Sequence, residues 1–244
     1  MMPYYGYGMF YDPTYILVFI GVILCMGASA KVNSTFNKYS KYASQSGYTG
    51  STIARKILND NELHQISIQH VRGSLSDHFD PRNFTVNLSD TVYDSGSIAA
   101  IAVAAHECGH VLQHKNNYFP YNLRHLLVPI ANIGSNISWF LIIIGLFLGY
   151  SANASYPGVG GTLVEIGVLC FSMAVLFQIV TLPVEFNASK RALRILTASN
   201  RFSADELYAA RKVLSAAALT YVAGAASSIL QLIRILLIVN RRRD

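Results

Sequence analysis

Near its middle the chain reads His106-Glu107-Cys108-Gly109-His110, a stretch of the form H-E-x-x-H that follows an alanine-rich apolar run. On a helix, residues four positions apart lie one turn apart on the same face. Two imidazoles at that spacing can hold one zinc ion, and the glutamate between them can serve as general base toward a water molecule. Because two imidazoles and a carboxylate are costly to bury unpaired, a buried helix with this motif needs a partner such as a metal ion. The stretch therefore predicts metal-dependent hydrolysis of a peptide bond.

The composition indicates a membrane protein. Hydrophobic residues make up 52% of the 244 residues and charged residues 13%, against about 25% charged residues in a typical soluble domain. The basic residues concentrate in segments 31–56 and 190–212 and in the tail Arg241-Arg242-Arg243. Such clusters mark the cytoplasmic segments of membrane proteins. The net charge of +6 therefore indicates orientation in a lipid bilayer and no nucleic-acid partner.

The three cysteines do not indicate a disulfide framework, because their number is odd and no C-x-x-C occurs. Cys25 and Cys170 lie in apolar segments. Cys108 lies two residues from each histidine of the motif, on the far side of the helix, so we do not expect it to bind the metal.

Three apolar segments approach or reach the length of about 17–25 residues that a membrane span requires. Residues 15–30 form an N-terminal anchor once residues 10–14 are included. Residues 126–150 and 162–184 form a transmembrane hairpin around an uncharged loop at 151–161.

Prolines are expected to delimit the hairpin, with Pro129 at the entry of its first span and Pro183 at the end of its second. Residues 185–193 then predict a charged helix at the membrane surface, and Ser203 predicts the start of another helix. Residues 213–239 predict a span, an amphipathic helix or a re-entrant helix. With a cytoplasmic catalytic domain, a span here would put the terminal arginines outside, against the positive-inside rule.

The polar segment between anchor and hairpin predicts mixed structure. Residues 51–59 predict a short helix, residues 66–68 and 84–88 alternate as strands do, and residues 80–83 have turn chemistry. The inward residues of the short helix are Ile53, Ala54, Ile57 and Leu58. Asp94 or Ser95 is expected to cap the motif helix, which runs to about His114.

These elements predict a mainly α fold, a multi-pass membrane metallopeptidase of the zincin type with a small strand element beside the metal helix. The expected parts are an N-terminal membrane anchor at 1–30, a first catalytic part at 31–125, the transmembrane hairpin at 126–184, a second catalytic part with the third ligand at 185–212, and a C-terminal apolar helix with a basic tail at 213–244.

A catalytic zinc ion typically has three protein ligands and one open position, so His106 and His110 need a third. Glu185 is the best candidate, because it follows directly on a span and opens a helix. Glu165 lies near the opposite end of that span, Glu206 opens a helix that is expected to face solvent, and a nearby histidine is a further alternative.

Three stretches, residues 76–81, 104–114 and 183–192, together with the spans between the last two, carry a family resemblance. From residue 15 onward the chain resembles the YugP-type bacterial membrane-bound neutral zinc metallopeptidases, and more distantly the heat-shock membrane proteases and the prenyl-protein endoproteases. The resemblance implies His106 and His110 as zinc ligands, Glu107 as general base and Glu185 as third ligand.

The chain departs from the distant relatives at Ser189, where they have an aspartate that supports a ligand histidine. Ser189 could make only a weaker, neutral hydrogen bond. Asn187 or another residue could substitute for the aspartate.

In the predicted reaction, Glu107 accepts a proton from the attacking water and returns it to the leaving amine. A second electrophile usually helps to stabilise the oxyanion. The candidates are His78 in a polar loop, His114, Arg191 and Tyr208, whereas His125 is expected at the surface. The strand at 84–88 is expected to be an edge strand that could bind extended substrate.

We therefore expect a zinc-dependent endopeptidase in the cell membrane, with Zn2+ as cofactor, its site at the cytoplasmic face, and a protein or peptide, including a membrane protein, as substrate. The alternative is a non-enzymatic membrane protein with a structural or regulatory zinc site, in which His114 or Cys108 completes four ligands. The small number of intramembrane charges argues against a transporter.

Overall fold

The computed structural model describes residues 12–151 and 158–240, which exclude most of the predicted loop at 151–161 and the basic tail. The helices are α1 (Tyr15–Tyr39), α2 (Gly50–Asp60), α3 (Ile98–Lys115), α4 (Phe119–Ser151), α5 (Val159–Ala198) and α6 (Ala204–Asn240), and the strands are β1 (Ser67–Val71), β2 (His78–Asp80) and β3 (Thr85–Ser89). This mainly helical architecture with a small sheet confirms the predicted fold class.

Four of these helices are long and apolar enough to cross a membrane: α1, α4 over Phe119–Leu148, α5 and α6. They contain 25, 30, 40 and 37 residues, whereas about 20 residues span the hydrocarbon core of a bilayer. Large apolar side chains on them point outward, and Ile23, Met26 and Phe140 each keep 67–68% of their surface exposed. These features fit a membrane protein.

Prolines do not delimit the long helices. α5 continues through Pro183, so the prediction of a separate surface helix at 185–193 is wrong. A proline removes one N–H and frees one carbonyl, but long membrane helices keep such prolines where neighbouring groups satisfy that carbonyl. Pro129 likewise lies inside α4, which begins at Phe119. Pro120 is the second residue of α4, where the missing N–H has no helical partner to lose.

The chain divides into two compact units. The first unit comprises Met1–Gly27, Leu126–Ile179 and Ala223–Asp244, and the second comprises Ala28–His125 and Val180–Val222. Each of the four long helices contributes residues to both units.

Within the first unit, α6 lies along α1. A Cβ added to Gly21 would lie 2.6 Å from the Ser227 hydroxyl oxygen. Further along α6, the Arg234 guanidinium lies 3.8 Å from a carboxylate oxygen of Asp12, three residues before α1 begins. Residues 213–239 thus belong to one long helix that reaches the start of α1, which favours the span among the three alternatives.

The sheet belongs to the second unit and has the order β1-β3-β2, with β1 parallel and β2 antiparallel to β3. β1 and β3 confirm the predicted strands to within a few residues. β3 is the central strand and all five of its residues are buried, so the expectation of a free edge at 84–88 is wrong. His78 lies in β2 rather than in a loop; three residues are too few to show an alternating pattern in the sequence.

The short helices of the second unit follow their sequence patterns closely. The buried side of α2 includes the four predicted residues, Ile53, Ala54, Ile57 and Leu58. α3 is capped by Ser97, whose hydroxyl accepts a hydrogen bond from the N–H of Ala100, so the expected caps Asp94 and Ser95 are wrong. The Ser95 hydroxyl instead donates to the Ser97 hydroxyl.

Gly109 allows α3 and α5 to touch backbone to backbone. A Cβ at this position would lie 2.7 Å from the carbonyl oxygen of Ala188 and 3.2 Å from its Cα. Both residues are buried. The contact admits no side chain at position 109, and it sets the spacing of the two helices.

We expect Gly109→Ala to destabilise the protein by about 1–3 kcal/mol, because the added methyl must push two helix backbones apart. The same change at Gly27, where a Cβ meets nothing within 4 Å, should be neutral or stabilising by up to about 1 kcal/mol. Thermal unfolding followed by circular dichroism in detergent compares both variants with the wild type. Equal melting temperatures for the two variants would contradict the close contact.

Candidate metal centre

Two helices bring three metal-binding side chains together in the second unit. His106 and His110 lie one turn apart on α3, with ring centroids 4.7 Å apart and the rings edge to face. Glu185 on α5 places its Oε2 3.3 Å from Nε2 of His106 and 3.6 Å from Nε2 of His110. The donor atoms of all three residues lie within 4.8 Å of one another.

These distances fit a tetrahedral zinc site. Zinc binds imidazole nitrogen at about 2.0–2.1 Å and carboxylate oxygen at about 2.0–2.2 Å, so neighbouring ligand atoms lie about 3.3–3.5 Å apart around it. The separations from Glu185 Oε2 to the two histidine nitrogens are close to that spacing. Two imidazoles and one carboxylate also leave the fourth position open, as catalytic zinc requires.

Gln113 orients His110, and sequence reasoning did not identify this residue. Its buried side-chain amide donates to the carbonyl oxygen of Val184 at 2.7 Å and to Oδ1 of Asn187 at 3.1 Å. Its Oε1 therefore faces Nδ1 of His110 at 3.0 Å and accepts the proton there. This bond leaves the Nε2 lone pair of His110 directed at Glu185. The sequence feature that could have identified Gln113 is its position three residues after His110, on the same face of the helix.

Ser189, which replaces the aspartate of the distant relatives, makes the expected neutral contact with His106. Its hydroxyl lies 3.2 Å from Nδ1 of His106, a neutral partner for the ring. Asn187 does not replace the missing aspartate directly. Its Oδ1 accepts from Gln113 and from Nε of Arg191, at 2.7 Å for the latter.

Arg124 holds the second oxygen of the Glu185 carboxylate, which is only 2% exposed. Its guanidinium donates to Oε1 at 2.9 Å, so Oε2 alone faces the histidines. A buried carboxylate without a cation would be strongly disfavoured. The sequence did not suggest this role, because Arg124 stands two residues before the uncharged run at 126–150 and looks like an ordinary membrane-interface cation.

Glu107 lies beside the cluster and is 7% exposed. Burial is the main reason that its pKa is raised to about 7; the nearby His106 opposes this shift and the Glu185 carboxylate adds to it. Glu107 lines a cavity of about 140 Å³ together with the three donor residues. The rest of the lining comes from residues 77–79, Tyr121, Arg124, His125 and Tyr221.

A second, more apolar cleft of about 240 Å³ shares four residues with this cavity: Asp77, His106, Glu107 and Tyr221. Its other walls are mostly aliphatic, from Val32, Leu75, Val103, Val213, Leu214 and Ala217, with Thr220. The Asp77 carboxylate accepts hydrogen bonds from the N–H and the hydroxyl of Ser89. The cleft therefore offers an apolar space directly beside Glu107.

Of the four candidates for a second electrophile, His78 alone is among the described residues that line the metal cavity. Both of its ring nitrogens already have partners: Nδ1 lies 2.9 Å from the Ser76 carbonyl oxygen, and Nε2 lies 3.2 Å from the Asn87 amide nitrogen. Tyr121, Arg124, His125 and Tyr221 line the cavity although the sequence did not suggest them.

The other three candidates have different surroundings. His114 packs against the rings of Phe79, Phe84 and Tyr121. Arg191 lies over the ring of Tyr118. Tyr208 is 57% exposed and its ring lies under Lys212.

The alternative ligands also lie elsewhere. Both Glu206 oxygens accept hydrogen bonds at the start of α6, from Ser44 and from the N–H groups of Gln45 and Ser203. Glu165 belongs to the first unit. Cys108 is fully buried with its Sγ 3.7 Å from the Ala54 carbonyl oxygen, and burial raises the pKa of its thiol.

Comparison with known proteins agrees with this chemistry. A family model described as "Putative neutral zinc metallopeptidase" matches residues 14–240. A protein of Bacillus subtilis (strain 168) named "Putative membrane protease YugP" is 45% identical over 221 residues, which cover 91% of this chain and 94% of that protein. No solved structure matches the chain.

We expect Gln113→Leu to weaken zinc affinity by about 10–100-fold, because His110 loses the acceptor that fixes its tautomer and orientation. Gln69→Leu is the matched control, since Gln69 is exposed on β1. Competition with a chromophoric chelator measures the zinc dissociation constant of both variants. A constant for Gln113→Leu within twofold of the wild type would remove Gln113 from the site.

Proposed function

The chain belongs to the neutral zinc metallopeptidase family, and on that premise we propose that it is a zinc-dependent, membrane-bound endopeptidase. The observation that carries the proposal is the convergence of His106 Nε2, His110 Nε2 and Glu185 Oε2 beside the buried carboxylate of Glu107. We assign the first three residues as zinc ligands and Glu107 as general base. Segments 31–125 and 185–212 then form the catalytic part.

Zinc at this site would supply a Lewis acid that polarises a peptide carbonyl and acidifies water. Glu107 takes the proton of the attacking water and delivers it to the departing amine. Gln113 and Ser189 hold the two rings so that their Nε2 lone pairs stay directed inward. Arg124 keeps the Glu185 carboxylate ionised and turned so that one oxygen faces the imidazoles.

The site would lie at the membrane surface rather than deep in the bilayer. Arg124 and His125 stand directly before the uncharged run at 126–150, and Glu185 directly follows the apolar run at 162–184. The basic segments 31–56 and 190–212 belong to the site-bearing second unit. A spanning α6 would put the three arginines of the tail on the opposite side, but the eleven Lys and Arg residues of these two segments outnumber them. The positive-inside rule therefore favours the cytoplasmic side for the second unit, and we propose a cell-membrane enzyme whose site faces the cytoplasm.

A structural or regulatory zinc site is the rival function. A closed site needs four protein ligands. Among the described residues, only His106, His110 and Glu185 form a group of metal-binding side chains. The rings packed around His114 and the orientation of Cys108 toward α2 give no support to a fourth ligand. The open position favours catalysis.

The apolar cleft beside Glu107 suggests a substrate class. A peptide whose scissile carbonyl lies in the metal cavity would place a neighbouring side chain in the adjoining cleft, because the two spaces share His106, Glu107 and Tyr221. Its walls carry many methyl groups, and neither lysine nor arginine is among its lining residues. We propose protein or peptide substrates, membrane proteins among them, with an aliphatic or aromatic side chain next to the cleaved bond.

Replacing Glu107 by Gln tests the reaction. We expect the variant to keep about one zinc per chain and to lose peptidase turnover by about 100-fold or more, because an amide cannot accept the proton. Glu62→Gln, an exposed site, is the control and should retain activity. Metal analysis is combined with cleavage of a fluorogenic peptide mixture by purified protein in detergent.

Glu185→Ala should lose most of the zinc in the same assay. If the wild type binds zinc but is as inactive as Glu107→Gln, the result would support the structural-site alternative. Full zinc retention by Glu185→Ala would exclude Glu185 as a ligand.

Filling the apolar cleft should change specificity. We expect Ala217→Phe to lower kcat/KM by about 10-fold or more for peptides with Leu or Phe beside the cleaved bond, while peptides with Gly or Ala there are spared. Ala204→Phe makes the same change at an exposed position of α6 and should leave the preference unaltered. Peptide libraries that vary the two residues flanking the cleaved bond, with products identified by mass spectrometry, measure the ratio of kcat/KM for large to small side chains. An unchanged ratio in Ala217→Phe would separate the cleft from substrate binding.

A further inference from the structure

A basic groove of about 570 Å³ lies between α1 and α6 in the second unit, lined by none of the residues of the metal cavity. The groove has three lysines, Lys31 and Lys38 on α1 and Lys212 on α6. Hydroxyl side chains, including those of Ser34 and Ser215, lie between them. No carboxylate is part of this lining.

The three ammonium groups lack an acidic partner among the residues that the structure describes. The ion pairs found there involve Lys56, two arginine–carboxylate pairs and histidines, but not the groove lysines. Lys38 lies 5.2 Å above the ring of Tyr39, and Lys212 lies 5.0 Å above the ring of Tyr208. These aromatic contacts order the lysine side chains without neutralising them. The groove is therefore suited to a ligand with negative charge.

The spacing on each helix points both sets of side chains into the same groove. Lys31 and Lys38 are seven residues apart, two helical turns or about 10 Å along α1. On α6, Lys212 is likewise seven residues from Leu219, which lines the groove and is 44% exposed. The groove thus combines charged and hydroxyl groups with an apolar portion formed by Ala216 and Leu219.

The groove also lies where both helices change from polar to apolar. The uncharged run at 15–30 ends at Lys31, and the long apolar run at 213–239 begins directly after Lys212. In a membrane protein such changes mark the level of the lipid headgroups. Phosphate groups of anionic lipids are concentrated at this level, and basic pockets between membrane helices bind them.

We propose that the groove between α1 and α6 binds an anionic phospholipid, with the headgroup phosphate on Lys31, Lys38 and Lys212 and the upper acyl chain against Leu219. This site is separate from the proposed peptidase chemistry and does not depend on it.

The test is calorimetric titration of a short-chain phosphatidylglycerol into the purified full-length protein in an uncharged detergent. The groove variant replaces Lys31, Lys38 and Lys212 by Gln. The control variant replaces Lys41, Lys56 and Lys190 by Gln, which lowers the net charge equally outside the groove. The groove variant should bind the lipid about 100-fold more weakly than the wild type, because each lysine at an anionic headgroup strengthens binding several-fold. The control variant should stay within about threefold of the wild type.

Two further ligands test which parts of the lipid the groove requires. Short-chain phosphatidylcholine tests whether net negative charge is needed, and glycerophosphoglycerol tests whether the headgroup suffices without acyl chains. Equal loss of affinity in the two triple variants, binding of phosphatidylcholine as tight as that of phosphatidylglycerol, or equally tight binding of the chain-free headgroup would each overturn the proposal. Circular dichroism and the thermal unfolding temperature in the same detergent confirm that the groove variant is folded, so its loss of lipid binding is not ascribed to unfolding.

Discussion

A carboxylate with 2% of its surface exposed stays ionised only if cations or strong donors surround it, and Glu185 is such a carboxylate. Arg124 on α4 holds one of its oxygens and the two imidazoles on α3 face the other. Three helices therefore meet at one side chain. The absence of a side chain at Gly109 lets α3 approach α5 closely enough for this meeting. Removing any of these elements would leave a buried charge or a pair of rings without a partner.

The hydrogen bonds around the two histidines give each polar atom of the supporting side chains a separate partner. The Gln113 amide donates two hydrogen bonds to α5, and its oxygen accepts one from His110. A single side chain therefore connects α3 to α5 and also orients one ring. Ser189 performs a simpler task for His106. Both bonds act on Nδ1, and in both rings Nε2 faces Oε2 of Glu185. The arrangement holds the three donor groups in place, which would reduce the entropy lost on binding a metal ion.

Local patterns predicted much of this architecture. The H-E-x-x-H spacing placed His106 and His110 on one helical face, and the alternation around Val86 predicted a strand there, because both signals depend on neighbours in the sequence. Arg124, 61 residues before Glu185, had no such signal. Local sequence rules also did not predict that α5 continues through Pro183. A proline that would end a helix in water can be accommodated inside a long apolar helix. β2 was too short to show a period, and the central place of β3 depends on pairing with it.

Cys108 stands between the two histidines in sequence, yet its sulfur faces the carbonyl of Ala54 on α2 in a fully buried position. Burial keeps that sulfur in the thiol form, and thiols react with peroxide and alkylating agents mainly as thiolates. The motif thus contains a redox-capable element that oxidants cannot reach. Cys25 and Cys170, in the long apolar helices, are partly exposed, so the thiol nearest the metal-binding side chains is the least accessible of the three.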